Sequence, residues 1–402
     1  MVVRKKLECC ILISLVNRHN NIPLNFKLVV NVNISVMKVL NVLWHFSTGG
    51  IGKCFLTYDQ LGYSDPNVTV KSVCIILDCQ PCDCQPLDKQ GIEQIHIKGN
   101  RDFKWMGRMR DIIKEENPDA IFCHGHNGPI MVRLFMLLYG IKIPLICTCH
   151  GVNLDVNKKV NHFIEWIWMT IYKSNVVRKI ICVEQFTPPI LISKGVPENK
   201  IVTVYNGIES KVKVNSIDLS KAKQKPVIVT ASRLTRIKGL NYLIEALSIL
   251  KSKGIDFFYY CIGDGNEELS LRNLAKKEGL TEEDVDFVGY QNNIPDWLSA
   301  CDIFALPSLE EFHSIAILEA MRSKKAIVAT NIGGNPESLR DELDALLVPS
   351  MDSIALADAL ECLLTSPELR ERLAASAYEQ FMNRFTIDVM KKNLTREIMS
   401  AI

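Results

Sequence analysis

Residues 227–250 read V-I-V-T-A-S-R-L-T-R-I-K-G-L-N-Y-L-I-E-A-L-S-I-L. Val227–Thr230 is a short run of apolar and β-branched residues, as a strand covered on both faces requires. Leu240, Leu243, Ile244, Leu247 and Leu250 then recur at helical spacing and share one face. A second strand, Phe257–Ile262, follows a polar turn. Strand, amphipathic helix and strand in that order make a parallel unit with a right-handed crossover.

The alternation extends in both directions. Downstream, Asp286–Val288, Ile303–Leu306 and Ala326–Ala329 read as strands, and the tail from about Ser353 as helices. Upstream, strands are expected at Val39–Leu43, Val73–Leu77, Ala120–Cys123, Leu145–Cys149, Lys179–Val183 and Ile201–Val204. Helices are expected from near Ile51, over Phe103–Glu116 and over Gly128–Tyr139. Residues 211–225 are charged, with few large apolar side chains, and read as a linker. The expected fold is α/β: two facing, doubly wound (Rossmann-like) parallel-sheet domains, residues 37–210 and 226–402, the second ending in C-terminal helices. Ligands of open α/β sheets bind beyond the carboxyl ends of the strands, so the cleft between the domains is the expected site.

Composition agrees with a globular chain. The sequence has 402 residues, 48% of them hydrophobic and 23% charged, with a net charge of +2. That balance excludes disorder as the main state and argues against a nucleic-acid binder. No apolar run reaches the ~20 residues of a membrane-spanning helix. Several of the 14 cysteines, among them Cys74, Cys123, Cys182 and Cys261, sit in strand-like runs as small hydrophobes, which suits a reducing, cytoplasmic setting. Cys79, Cys82 and Cys84, with Cys147, Cys149 and His150, could in principle hold zinc, but the paired spacing of such sites is lacking, and no metal is expected. Residues 1–36 stand outside the alternation. Arg4, Lys5 and Lys6 precede the apolar stretch Leu7–Val16 like the start of a signal peptide, without a small-residue cleavage site. The segment reads as an extension, with a membrane-surface anchor as the functional alternative.

Three familiar chemistries are weakened by departures from their own motifs. Gly49-Gly50-Ile51-Gly52-Lys53 follows a strand, but Ser47 and Cys54 break the Walker pattern. Gly263-Asp264-Gly265 lacks the third glycine of a dinucleotide fingerprint, since position 268 is Glu. No G-x-S-x-G elbow is present. What remains is a pair of segments. In Ser232–Gly239, Arg233 and Lys238 lie between a strand and a helix, where a diphosphate would find two cations and a helix N-terminus. In Pro307–Met321, Glu311 lies in a loop and Glu319 eight residues later in a helix starting near Ser314. A carboxylate within the apolar run I-A-I-L-E-A-M needs hydroxyls or a cation as partner. Paired carboxylates could also serve a glycosidase, but the basic loop points to phosphate.

The segments S-R-L-T-R-I-K-G, P-S-L-E-E-F-H-S-I-A-I-L-E-A-M, G-G-N-P-E (Gly333–Glu337), V-Y-N-G-I (Val204–Ile208) and I-G-D-G (Ile262–Gly265) together resemble the family 4 retaining glycosyltransferases of the GT-B fold, from about Met37 to the C-terminus. The resemblance implies a nucleotide-diphosphate sugar donor, a UDP-sugar favoured, and no cofactor. It implies that Arg233, Lys238, Gly49 and Gly50 bind the donor diphosphate, Glu319 the ribose and Glu311 the transferred sugar. It places His150 of T-C-H-G near the donor sugar and acceptor, a catalytic position shared with Glu311, with His124 and His126 as weaker candidates. It further implies transfer of a hexose-type sugar to a glycan or lipid-linked acceptor in bacterial surface polysaccharide synthesis. Peripheral membrane contact at the inner face is a further expectation, to be sought on the aromatic helix with Phe163, Trp166, Trp168 and Tyr172, which core packing would equally explain. One departure stands out: Phe312 and His313 occupy positions that are commonly Gly and Phe in the family. A sugar-nucleotide epimerase of the same plan and a non-catalytic sugar-nucleotide binder are the rival readings.

Overall fold

The computed structural model describes residues 36–46, 50–59, 67–78, 84–99, 102–125, 127–151 and 162–402. Gly49, His126, Cys79, Cys82 and residues 1–35 lie outside them.

The first half is built from β1 (Met37–Trp44), α1 (Gly50–Asp59), β2 (Val68–Leu77), α2 (Gln85–Gln90), β3 (Glu93–Ile97), α3 (Lys104–Glu116), β4 (Ala120–His124), α4 (Asn127–Leu138), β5 (Leu145–Cys149), α5 (His162–Lys173), β6 (Val177–Cys182), α6 (Thr187–Ser193) and β7 (Ile201–Thr203). Its seven strands are ordered β3-β2-β1-β4-β5-β6-β7, all parallel. The second half comprises β8 (Val227–Ala231), α7 (Leu240–Ser252), β9 (Phe258–Ile262), α8 (Glu268–Lys277), β10 (Val285–Gly289), α9 (Ile294–Ala300), β11 (Ile303–Leu306), α10 (Ile315–Arg322), β12 (Ala326–Thr330), α11 (Asn335–Ser338), β13 (Leu346–Val348), α12 (Ser353–Thr365), α13 (Pro367–Arg384) and α14 (Ile387–Ser400). Its six strands run β10-β9-β8-β11-β12-β13, again parallel. Both sheets are therefore doubly wound, and each reverses strand order beside its first strand, between β1 and β4 and between β8 and β11.

The central strands are buried on both faces, which is why they read as unbroken apolar runs. β3 departs from this. It is an edge strand in which Ile95 and Ile97 face inward while His96 is exposed, so it alternates instead of running apolar.

The final helix does not stay with the second sheet. Ile387, Met390, Leu394 and Ile398 of α14 pack with Val39, Phe122, Ile146 and Ile181 of the first. The chain thus crosses between domains twice, and the crossings lie side by side: Ile208 N–H donates to Phe385 O (3.1 Å) and Ile387 N–H to Ile208 O (2.8 Å). Gly207 leaves no room for a side chain here, because Thr386 and Met390 stand where a Cβ would go.

Candidate active site

The basic loop and the first glutamate interlock. β8 ends at Ala231 and β11 at Leu306, the two strands of the switch point, so the loops after them emerge together. Leu309 N–H donates to Ile237 O (2.7 Å), and Gly239, at φ +62°, packs against Pro307 O. Lys238 Nζ is 2.6 Å from Glu311 Oε2, which also accepts from Ser308 Oγ at 3.0 Å. Both charged side chains are largely buried, Lys238 15% and Glu311 12% exposed, so each is the other's main charge compensation. Ser314 caps α10, accepting from Ile317 N–H.

Glycines seat these loops. Gly263 and Gly265 have positive φ and lie against the carbonyls of Ser232 and Leu234, while Leu234 N–H donates to Asp264 O (2.7 Å). The I-G-D-G stretch therefore supports the loop bearing Arg233. Gly333 and Gly334 do the same for the glutamate loop, lying against the carbonyls of Glu311 and Phe312. Arg233 itself is exposed and has no ion pair among the described residues, so Arg233 and Lys238 are not equivalent.

Glu319, one turn inside α10, finds its cation across the cleft. Lys53 Nζ, in the first turn of α1, is 2.9 Å from Glu319 Oε1. A second bridge joins Glu337 of G-G-N-P-E to the first domain, accepting from Gln185 N–H at 2.7 Å. A third is apolar: the Phe312 ring covers Gly151, whose φ is +118°. Gly151 follows His150 and Phe312 follows Glu311, so this contact joins the two segments that bear them. Gly50 opens α1, the helix that carries Lys53, and Gly49 lies outside the described residues.

His124 has another role. It is fully buried, bonded to Asn41 Oδ1 and, at 3.0 Å, to Thr148 Oγ1, and stacked on Tyr58 at 4.8 Å. Burial, with a smaller contribution from neighbouring His150, holds its pKa well below the usual histidine value. It is a neutral strand-end residue that organises β1, β4 and β5. Among the described residues no cluster of three or more metal-ligating side chains occurs. Cys123 and Cys147 lie 3.7 Å apart in adjacent buried strands as free thiols.

His313 is buried between Tyr205 (5.3 Å) and Phe385 (5.4 Å), and neither ring nitrogen has a partner among the described residues. Burial, then the nearby Arg384 charge, lowers its pKa to about 3. The folded value lies below the unfolded one, so the unfolded chain binds the extra proton. The stability this neutral imidazole allows is complete above about pH 6.5 and is lost as pH falls toward 3. His313→Phe, which keeps the aromatic packing, is expected to raise stability relative to the parent by about 2 kcal/mol more at pH 5 than at pH 8. Urea unfolding at both pH values measures this; an equal difference at both would show that His313 is charged or bonded in the folded chain.

Sequence profiles place the chain. Residues 93–212 match the profile described as Glycosyltransferase Family 4, and residues 213–380 that described as Glycosyl transferases group 1. The chain belongs to the family 4 glycosyltransferases. It is 24% identical over 298 residues to the UDP-Gal:alpha-D-GlcNAc-diphosphoundecaprenol alpha-1,3-galactosyltransferase of Escherichia coli, covering 71% of this chain and 76% of that one. It is 26% identical over 294 residues to the N-acetyl-alpha-D-glucosaminyl L-malate synthase of Bacillus anthracis, covering 70% and 75%. In structure it is similar to Anabaena HepE in complex with UDP, with a TM-score of 0.76 at 19% identity over 90% of this chain and 100% of that one. The fold is thus that of the GT-B glycosyltransferases, and the expected two-sheet architecture holds. This glycosyltransferase has, among its described residues, no helix long and apolar enough to cross a membrane.

Proposed function

We propose that this glycosyltransferase moves a hexose-type sugar from a nucleotide-diphosphate sugar, a UDP-sugar favoured, to a glycan or lipid-linked acceptor of a bacterial surface polysaccharide, with retention at the anomeric carbon. The observation that carries the reading is the interlocked Lys238–Glu311 pair with Glu319 one helix further on, all at the switch point of the second sheet and facing the first. Relatives support the donor and acceptor classes: the Escherichia coli enzyme is named for a UDP-Gal donor and a diphosphoundecaprenol-linked acceptor, and HepE is seen with UDP.

In this reading Glu319 takes the ribose diol, Glu311 the hydroxyls of the transferred sugar, and Lys238 with Arg233 the diphosphate. The bond from the anomeric carbon to the phosphate oxygen breaks with its electron pair going to the diphosphate. The acceptor oxygen bonds to that carbon on the face the phosphate leaves, and its proton passes to the departing phosphate oxygen. Lys238, Arg233 and the N-terminus of α10 meet the growing negative charge, the work that dominates such sites. His150 lies on the first-domain side, where the acceptor approaches. A lipid-linked acceptor has an apolar surface at hand in Leu137 and Leu138 at the end of α4 and Trp166 of α5, all exposed.

The test is a binding screen of UDP-, GDP- and ADP-sugars, followed by turnover with Glu319→Gln. That change keeps shape and loses charge-assisted bonds of about 1.5–3 kcal/mol, so transfer is expected to fall about 10–100-fold. A variant with parental donor affinity and rate would remove Glu319 from the ribose.

A further inference from the structure

Lys53 is the residue that the mechanism above leaves unused. It sits in the first turn of the 10-residue helix α1, where the helix dipole is positive and a cation is disfavoured unless an anion stands opposite. Its partner is the second domain's Glu319, through Oε1 at 2.9 Å. The two ends of this contact differ. Glu319 is 13% exposed and held by α10, whereas Lys53 is 50% exposed on a long, flexible stem. If the pair opens, the lysine moves and the carboxylate stays.

A ribose diol bonded to Glu319 presents two hydroxyl donors to two carboxylate oxygens, and Lys53 already holds one of those. The diol and the ammonium therefore compete for Oε1. The same nucleotide carries a diphosphate on its 5′ carbon, next to the ribose, and Lys53 reaches Glu319 from the first turn of α1 in the first domain. The nearest anion to the displaced ammonium is the phosphate that arrives with its competitor.

We infer that Lys53 is a donor-binding residue supplied by the first domain, which exchanges Glu319 for the donor diphosphate when the ribose occupies that carboxylate. The inference rests on the assignment of Glu319 to the ribose. A nucleoside must break the Lys53–Glu319 contact without replacement, and a nucleoside diphosphate restores an anion to Lys53. Lys53 thereby selects phosphorylated nucleosides and ties donor binding to the position of the first domain.

The experiment titrates the parent, Lys53→Met and Lys53→Arg with uridine and UDP, with guanosine and GDP and adenosine and ADP run beside them. For the best-bound base, Lys53→Met is expected to leave nucleoside affinity equal or raised and to weaken the nucleoside diphosphate at least about tenfold, the loss of one charge-assisted contact. Lys53→Arg is expected to keep the parental ratio within about threefold, since it retains the charge. A Lys53→Met ratio equal to the parent's, through both ligands changing alike or neither changing, overturns the inference. Glu319→Gln separates the two claims. If that variant weakens nucleoside binding while Lys53→Met leaves the ratio unchanged, only the role of Lys53 falls; if it leaves nucleoside binding unchanged, the ribose assignment falls with it.

Discussion

Lys238→Ala is expected to lower the turnover number about 100–1000-fold, the cost of removing one preorganised donor from a developing oxyanion. Nucleoside diphosphate affinity is expected to fall less, by about tenfold, because diphosphate charge rises as the sugar bond breaks and the lysine matters most at that point. The structure adds a second reason for the size of the effect. Lys238 and Glu311 are largely buried against each other at 2.6 Å, so alanine leaves the Glu311 carboxylate with Ser308 as its remaining partner. An unpaired buried charge costs more than the pair contributed. The double variant Lys238→Ala/Glu311→Gln should therefore fall short of the product of the two single losses. Arg233→Ala, exposed at the cleft mouth, should give a smaller effect that fades with added salt. Single-turnover rates and nucleoside diphosphate titrations on the four variants decide the matter. Losses for Lys238 and Glu311 that simply multiply would show that the two act independently.

The sheets were legible because their strands are buried on both faces. Leu145–Cys149 and Ile303–Leu306 are strands over the very residues that the apolar runs marked. β3 escaped notice because an edge strand needs only Ile95 and Ile97 inward, and two apolar residues in five make no run. The landing place of α14 was not legible either. Its apolar stripe announces a buried helix face, but periodicity carries no information about which sheet receives it.

The site was legible where its chemistry is local. Glu319 needed hydroxyls or a cation within an apolar helix, and the structure provides Lys53. That the cation comes from G-G-I-G-K could not be read, since the contact spans 266 positions and no local pattern links the two segments. The contact of Phe312 with Gly151 was equally hidden. A bulky residue in place of glycine signalled a reshaped pocket, and only the fold shows that the ring reaches the segment after β5 beside His150.

Gly334→Ala tests whether the glutamate loop is held as tightly as the geometry implies. Gly334 has φ −84°, a conformation any residue accepts, so backbone preference predicts a harmless change. Space predicts the opposite. A Cβ there runs into the carbonyl oxygen of Phe312 and comes within 3.3 Å of Glu184 Cβ. The obstacle is main chain and cannot rotate away, so the Glu311–Phe312 loop must shift, with overpacking that costs about 1–3 kcal/mol. Misplacing a positioning group by about 1 Å can cost 100-fold in rate, and a fall of that order is expected here. Nucleoside affinity should change less, because Glu319 lies beyond the Ser314 cap on α10. Gly254→Ala is the control: its φ of +72° strains alanine, yet no atom of the described residues stands within 4 Å of the new Cβ. It should lose stability of about 1 kcal/mol and keep its turnover. Thermal unfolding and turnover measured on both variants separate strain from displacement. A Gly334→Ala enzyme that turns over at the parental rate would show that the loop tolerates the shift, and that Glu311 is not positioned through this glycine.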